Sequence, residues 1–191
     1  MKKIICLFVI SLMVLIGCSS ESSEYLSGKV KVEIDIVDCG VIKLELDADE
    51  APITVTNFVS LVEDKFYDGL TFHRIIDGFM IQGGDPDHNG TGGSDETIKG
   101  EFSVNGIKNT ISHKRGVISM ARSNDFNSAS SQFFIVQEDS TYLDGQYAAF
   151  GYVTKGMDIV DKIAEEAVVE DSNGTVLYEN QPIIKSISVV E

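Results

Sequence analysis

The 191-residue chain contains no tryptophan and only three cysteines, three prolines and three histidines. Cys6 and Cys18 lie within and directly after an apolar N-terminal run that is typical of a cleaved leader. Only Cys39 is then left for the folded part, which excludes an intramolecular disulfide. We expect Cys39 to be a buried small hydrophobic residue, with a reactive thiol as the alternative.

The few histidines and the many serines do not indicate a metal site or a hydrolase. His73, His88 and His113 lack the spacing of zinc ligands, and no cysteine pair accompanies them. No serine lies in a Gly-x-Ser-x-Gly elbow, which argues against a serine hydrolase. We therefore expect neither a metal nor another cofactor.

Positive charge is also scarce, with 15 lysine and arginine residues against 30 acidic residues and a net charge of −15. Such a chain is repelled by phosphate groups, so nucleic-acid binding is excluded. The acidity favours solubility, and attraction to basic client proteins is the alternative. The length and the lack of internal repeats indicate one domain.

The longest apolar run, residues 4–16, is too short to span a bilayer comfortably. Lys2 and Lys3 precede it, and Leu15-Ile16-Gly17-Cys18, which resembles the bacterial lipobox, ends it. We predict a lipoprotein signal peptide at residues 1–17, followed by a lipidated Cys18 and a flexible polar tether through residue 28. The domain at residues 29–191 would then be extracytoplasmic and anchored to the membrane. An ordinary cleaved signal is the alternative.

Hydrophobic periodicity predicts a mainly β domain with two helices. Charged and apolar residues alternate over residues 29–36 and again over residues 41–46, which predicts two antiparallel strands. Pro52 can open a helix whose apolar face recurs at helical spacing, and a second helix is predicted near residues 157–164. Residues 83–106 contain seven glycines and are predicted to be a surface loop rather than core. A phosphate-binding loop is disfavoured because Gly-Lys-Ser/Thr is missing.

Four short motifs carry the chemistry: Phe72-His73-Arg74-Ile75-Ile76, Gly78-Phe79-Met80-Ile81-Gln82-Gly83-Gly84-Asp85, Ser131-Gln132-Phe133-Phe134-Ile135 and Leu143-Asp144-Gly145. One arginine, two glutamines and several large apolar side chains suit the binding of a proline ring and the polarisation of the amide bond before it. In this order and at these spacings the motifs closely resemble the cyclophilin family of peptidyl-prolyl cis/trans isomerases. The resemblance runs from about Val30 to Val190.

The resemblance implies both a fold and a site. The fold would be a closed eight-stranded antiparallel barrel capped by two helices. Arg74 would be the catalytic donor, Gln82 would hold it in place, and His73 would be structural. The substrate-binding positions would be Phe79, Met80, Ala121, Arg122, Gln132, Phe134, Tyr142, Leu143 and Tyr147.

Three of these positions depart from the family pattern. Arg122 replaces the usual asparagine at the end of the groove-lining strand, where Ala121 and the Arg122 backbone would pair with the peptide as in strand addition. Tyr142 stands where many members carry tryptophan, and Tyr147 where many carry histidine. An aromatic wall is kept but its polar edge changes, so peptide preference and affinity for cyclosporin-type inhibitors should change with it.

The predicted chemistry is rotation about an X-Pro bond. Amide resonance gives a barrier of roughly 18–20 kcal/mol, and uncatalysed X-Pro exchange takes tens to hundreds of seconds. A hydrogen bond donated to the proline nitrogen localises its lone pair and weakens that resonance. Arginine suits this task because its guanidinium stays charged and offers several donors in a rigid fork.

We therefore expect a monomeric enzyme that acts on proline-containing polypeptides of exported or surface proteins. A proline-peptide binding or holdase module with incidental turnover is the alternative. A purely structural surface lipoprotein would require neither Arg74 nor Gln82. Asn89-Gly90-Thr91 and Asn173-Gly174-Thr175 fit a glycosylation pattern, which is common by chance.

Overall fold

The computed structural model describes residues 25–190, and the predicted signal peptide, Cys18 and the first part of the tether lie outside this range. Eight strands and two α-helices are present in the described part. The strands are β1 Lys29–Ile36, β2 Gly40–Asp47, β3 Phe72–Ile76, β4 Met80–Gly83, β5 Val117–Met120, β6 Phe133–Val136, β7 Ala149–Lys155 and β8 Ile184–Val190. The helices are α1 Pro52–Glu63 and α2 Met157–Glu166.

All eight strands form one antiparallel sheet in the order β3-β4-β6-β5-β7-β2-β1-β8. The sheet curls into a half-barrel with β3 and β8 at its edges. The two edges approach each other through one isolated bridge, Thr71 to Ile183, and through backbone bonds such as Phe72 N–H to the Pro182 carbonyl (3.0 Å). The mainly β architecture with two helices is as predicted, but strand pairing does not continue around a fully closed barrel.

The predicted alternation decides which face of each strand is buried. Val32, Ile34 and Ile36 of β1 point into the main core, whereas the charged residues between them stay on the outer face. In β2 the same pattern buries Ile42, which pairs with Ile34 across the ladder. These two strands confirm the prediction made from residues 29–36 and 41–46.

Helix α1 begins at the predicted proline but takes its N-terminal cap from a distant loop. Ala51, at the cap position, offers no side-chain hydrogen bond. The buried Glu101 carboxylate instead accepts from the backbone N–H groups of Ile53 (3.1 Å) and Thr54 (2.8 Å) and from the Thr54 hydroxyl (2.6 Å). An anion at this end of a helix is favoured by the free N–H groups and by the helix dipole.

The prediction that residues 83–106 are only a surface excursion is therefore wrong in part. The loop has little regular structure, but Asp85, Glu101 and Phe102 are almost fully buried. Asp85 accepts from the backbone N–H groups of Asp87 (2.8 Å) and Asn89 (3.0 Å), so a carboxylate organises the glycine-rich part from inside. Although burial acts to raise the pKa of Asp85, these backbone bonds bring it below its ordinary value.

Two apolar clusters result from this packing. The larger one fills the interior between the sheet, α1 and α2, and the predicted helical face of α2 contributes Val160, Ile163 and Ala164. The smaller cluster lies at one side of the sheet and is extended by the partly buried Phe79 and Tyr147. Its buried members are Met80, Ile111, Val117, Phe134, Val136, Leu143 and Ala149. Several predicted substrate-binding residues thus belong to this one apolar cluster.

The beginning of the described chain is bonded to the domain. Leu26 N–H donates to the Thr56 hydroxyl, and Gly28 N–H donates to Asp49, both at 2.8 Å. Cys39 was expected to be buried; it is only partly buried, and it packs against the larger core cluster. Neither helix within residues 25–190 has the length and apolar character that a membrane span requires.

Candidate active site

Arg74 lies in the middle of β3, at the edge of the smaller apolar cluster. Its Nε donates to the main-chain carbonyl of Asn173 (2.8 Å), and its Nη1 donates to Gln82 Oε1 (3.1 Å). The remaining nitrogen, Nη2, has no hydrogen-bond partner among residues 25–190. Burial lowers the pKa of Arg74 from its ordinary value, yet a guanidinium remains charged at neutral pH.

Gln82 is held by a second glutamine. Strands β3 and β4 pair Arg74 with Gln82, so both side chains emerge on the same face of the hairpin. The Gln82 amide nitrogen donates to Gln132 Oε1 (2.9 Å), and the Gln132 nitrogen donates to the carbonyl of Gly92 (2.7 Å). Arginine, two amides and a loop carbonyl therefore form one chain of hydrogen bonds that orients the guanidinium.

A cavity of about 210 Å³ opens beside this chain. Its apolar wall contains Met80, Phe134 and Leu143, each at most 8% exposed, so the wall is set by core packing. The full lining is Arg74, Phe79, Met80, Gln82, Ala121, Arg122, Phe134, Leu143 and Tyr147. The structure brings these predicted positions together around one hollow, which has an apolar wall and is also lined by the two arginines, Arg74 and Arg122.

A second, more polar cavity of about 220 Å³ adjoins the first. The two share Gln82, Ala121 and Arg122, and the second is also lined by Gln132 and by the loop at residues 90–92. Gln132 therefore faces this neighbouring cavity rather than the apolar one. The two cavities therefore meet along residues 121 and 122.

Arg122 lines both cavities, and its side chain makes several contacts there. Its Nε and Nη2 donate to the Gln146 carbonyl (3.0 and 2.9 Å), and its guanidinium lies over the rings of Phe102, Phe126 and Tyr147 at 4.7–5.2 Å. Sequence reasoning did not anticipate this cage, because it joins residues far apart in the chain. The Ala121 N–H is also engaged, since it donates to the Gln132 carbonyl (2.9 Å).

The two predicted wall tyrosines have different surroundings. Tyr147 lines the apolar cavity and meets Phe134 edge-on, with ring centroids 6.0 Å apart. Tyr142 is 63% exposed and packs against Phe79 at 5.9 Å without lining that cavity. Tyr142 therefore lies outside the lining of the apolar cavity, next to Phe79.

A Ser-His-Asp chain, in which the serine and histidine are buried and the aspartate is exposed, lies beneath the cavity and was missed in the sequence. His113 Nδ1 lies 2.9 Å from Asp144 Oδ1, and its Nε2 lies 3.0 Å from the Ser119 hydroxyl. Ser119 and His113 are fully buried, so no substrate can reach the hydroxyl and the chain does not form a hydrolase. His113 stacks on Phe134 at 6.1 Å and 17°, and thus supports the cavity wall. Burial lowers the pKa of His113, against the opposing effect of Asp144.

His73 does not face the cavities. It is 3% exposed, and neither ring nitrogen has a hydrogen-bond partner among the described residues. Burial lowers its pKa, with Asp85 opposing, so the ring is neutral at pH 7. No group of three potential metal ligands was found within residues 25–190.

Comparison with known proteins shows the family of this chain. The family described as cyclophilin type peptidyl-prolyl cis-trans isomerase/CLD matches residues 29–189. The peptidyl-prolyl cis-trans isomerase of Helicobacter pylori (strain ATCC 700392 / 26695) is 44% identical over 133 residues, which cover 69% of this chain and 78% of that protein. Peptidyl-prolyl cis-trans isomerase A of Dickeya dadantii (strain 3937) is 42% identical over 165 residues, or 80% of each chain.

A solved structure is similar as well. The crystal structure of a cyclophilin type peptidyl-prolyl cis-trans isomerase from Cryptosporidium parvum, in the presence of the dipeptide Ala-Pro, has a TM-score of 0.74 and 30% identity. The match covers 84% of this chain and 99% of that one. The fold and the site thus define an isomerase of X-Pro bonds. The chain belongs to the cyclophilin-type peptidyl-prolyl cis-trans isomerase family.

Proposed function

We propose that this chain accelerates rotation about X-Pro bonds with Arg74 as the catalytic donor and Gln82 as the residue that holds it. The observation that carries this proposal is the guanidinium of Arg74, fixed by Gln82 and Asn173 while its Nη2 stays unpaired beside an apolar cavity. A donor that is already oriented stabilises developing charge without reorganising during the reaction.

In the proposed mechanism the proline ring enters the cavity against Met80, Phe134 and Leu143. These side chains are apolar and nearly buried, so they bind the ring but offer no hydrogen bond to the amide. As the C–N bond twists, the proline nitrogen becomes pyramidal and its lone pair can accept from Arg74. The donor then favours the twisted state over both planar isomers, which is how differential binding lowers a barrier.

The peptide before the proline would lie along residues 121 and 122 and reach the second cavity. The structure from Cryptosporidium parvum, obtained in the presence of Ala-Pro, supports proline-containing peptides as ligands for this chain as well. A holdase would need only the apolar cavity and the flanking groove. The chain of hydrogen bonds that orients Arg74 supports the enzyme, because binding alone does not require a preoriented donor.

We further propose that Cys18 carries a lipid anchor and that the mature, monomeric domain acts outside the cytoplasm on exported or surface proteins. The support comes from the sequence: a basic start, an apolar run at residues 4–16 and a lipobox-like end at Cys18. Two acyl chains on one cysteine give stable anchoring, which a single chain does not.

The activity is tested with the full chain in detergent micelles and a peptide that contains one Ala-Pro bond. Cis-to-trans conversion is followed by coupling it to a protease that cleaves only the trans form. We expect conversion to rise in proportion to enzyme concentration above the uncatalysed rate. Binding of the peptide without any acceleration would contradict the enzyme proposal and favour the holdase.

The anchor is tested separately in a bacterial host. Wild type should incorporate labelled fatty acid, whereas Cys18→Ser should not. Labelling of Cys18→Ser to the wild-type level would contradict lipidation at this residue. Because the catalytic domain is untouched, this outcome leaves the isomerase proposal standing.

A further inference from the structure

A turn at residues 171–175, distant from Arg74 in the sequence, forms a hydrogen bond with the guanidinium of Arg74. The loop between α2 and β8 folds back so that Thr175 forms an isolated antiparallel bridge with Arg74. At this point the main-chain carbonyl of Asn173 accepts from Arg74 Nε at 2.8 Å. The bond to Gln82 restrains Nη1 at 3.1 Å. Two bonds at different nitrogens fix the plane of the group, whereas one bond leaves it free to swing.

The turn is held in one conformation by hydrogen bonds to the carboxylate of Asp171. Asp171 Oδ1 accepts from the backbone N–H groups of Asn173 (2.9 Å) and Thr175 (3.1 Å), and Oδ2 accepts from the Thr175 hydroxyl (3.0 Å). The Gly174 N–H also donates to the Asp171 carbonyl at 3.1 Å. Side-chain oxygens of this kind stabilise turns by replacing backbone partners.

The turn is also docked closely against β3. Ile75 N–H donates to the Gly174 carbonyl (2.8 Å), and Val176 N–H donates to the His73 carbonyl (3.0 Å). Gly174 has φ of +83°, and a Cβ there would lie 2.3 Å from the Ile75 carbonyl oxygen. Only glycine therefore allows this approach. The carbonyl of Asn173 has little freedom to move away from Arg74.

We propose that the turn at residues 171–175 is a positioning element for catalysis, acting on Arg74 through the Asn173 carbonyl. Its role rests on the proposed function, in which Arg74 is the donor. The turn bonds to the guanidinium, and within residues 25–190 no hydrogen bond joins it to another lining residue of the apolar cavity. It should therefore affect the transition state more than the binding of the ground-state peptide, because misplacement of a catalytic group by even 1 Å can cost about 100-fold in rate.

The test uses the full chain in detergent and compares Asp171→Ala with Asp171→Asn. The alanine variant removes all three side-chain bonds of the turn, and we expect kcat to fall about tenfold while KM changes less than about twofold. Asparagine keeps a carbonyl oxygen for the two backbone N–H groups, and it should restore kcat to within about threefold of wild type. Asp68→Ala, at an exposed position in another turn, is the matched control and should leave both constants unchanged.

Two further measurements separate positioning from a general loss of structure. In the Arg74→Ala background, Asp171→Ala should cause no additional loss of kcat, because the group that the turn orients is gone. The Arg74 Nε–H signal in ¹⁵N NMR should exchange slowly in wild type and faster in Asp171→Ala. This readout needs no catalysis, so it tests the turn even if wild type proves inactive and the proposed function fails.

The proposal is overturned if Asp171→Ala retains wild-type kcat with an unchanged Nε–H signal. An equal loss of kcat with and without Arg74 would also overturn it, because the effect would then be structural. Should Asp171→Ala fail to fold, Thr175→Val provides the test. It removes only the bond from the hydroxyl, and it should lower kcat about two- to threefold with KM unchanged. An unchanged kcat in Thr175→Val would count against the proposed role of the turn.

Discussion

At the scale of single residues, the aromatic wall of the site contains departures from the expected family pattern. Tyr147 and Arg122 replace the expected histidine and asparagine, and they contact each other, with the guanidinium 4.7 Å from the ring centre. A cation over an aromatic face is attracted by the ring quadrupole. The two replacements therefore form one local structure, although each looks like an isolated departure in the sequence.

Tyr142 gives a prediction about inhibitors. A phenol lacks the indole N–H and is smaller, and here it lies outside the cavity at 63% exposure. We expect Tyr142→Trp to bind cyclosporin about 1–3 kcal/mol more tightly than wild type, since a hydrogen bond and packing are gained. Titration calorimetry on both proteins measures this difference. Turnover of a short X-Pro peptide is the control and should be the same in both; equal cyclosporin affinity would show that residue 142 does not contribute to the groove.

At the scale of elements, the buried Glu101 links the long loop to helix α1. Glu101→Gln keeps the shape of the side chain but removes the charge that receives three hydrogen bonds at the helix start. We expect the free energy of unfolding to fall by about 2–3 kcal/mol, as for hydrogen bonds to a charged group. Urea unfolding measures the change.

The matched control for Glu101→Gln is the same substitution at Glu96, an exposed residue of the same loop. It should alter the free energy of unfolding by less than about 0.5 kcal/mol. If the two variants are equally stable, the cap does not hold the helix, and the burial of Glu101 needs another explanation.

The elements themselves were largely predictable, and the links between them were not. The alternation of β1 and β2 and the helical face that begins at Pro52 are local patterns, so they appear directly in the sequence. Glu101 caps a helix 47 positions away, and Asn173 holds an arginine 99 positions away. No local pattern encodes such distances. Resemblance to a family predicted the candidate site residues, whereas the links made by His113, Ser119 and the turn at residue 171 became visible only in three dimensions.

At the scale of the whole molecule, two buried histidines make stability depend on pH. Burial lowers the pKa of both His73 and His113 in the folded chain, whereas the unfolded chain binds protons near the ordinary value of about 6.5. Below that pH the unfolded state takes up more protons, so the free energy of unfolding falls as pH falls. The loss is at most about 1.4 kcal/mol per pH unit for each histidine.

Urea unfolding between pH 7.5 and 5.5 checks this dependence. We expect wild type to lose stability over the range and His113→Asn to show a shallower slope, because one of the two groups no longer titrates. Activity should remain nearly constant from about pH 7 to 9, since arginine does not titrate there. Stability that rises on acidification would contradict the assignment of neutral buried histidines.

The whole account depends on one donor at the rim of the apolar cavity. Its most direct test is kcat/KM of Arg74→Ala for an X-Pro peptide, measured beside wild type with circular dichroism as the check on folding. We predict a native spectrum and a loss of roughly 10²–10³-fold, typical of removing one preorganised donor. Arg74→Lys should also be poor, because an ammonium lacks the planar fork that Gln82 and Asn173 hold. A natively folded Arg74→Ala with the wild-type rate would contradict the account.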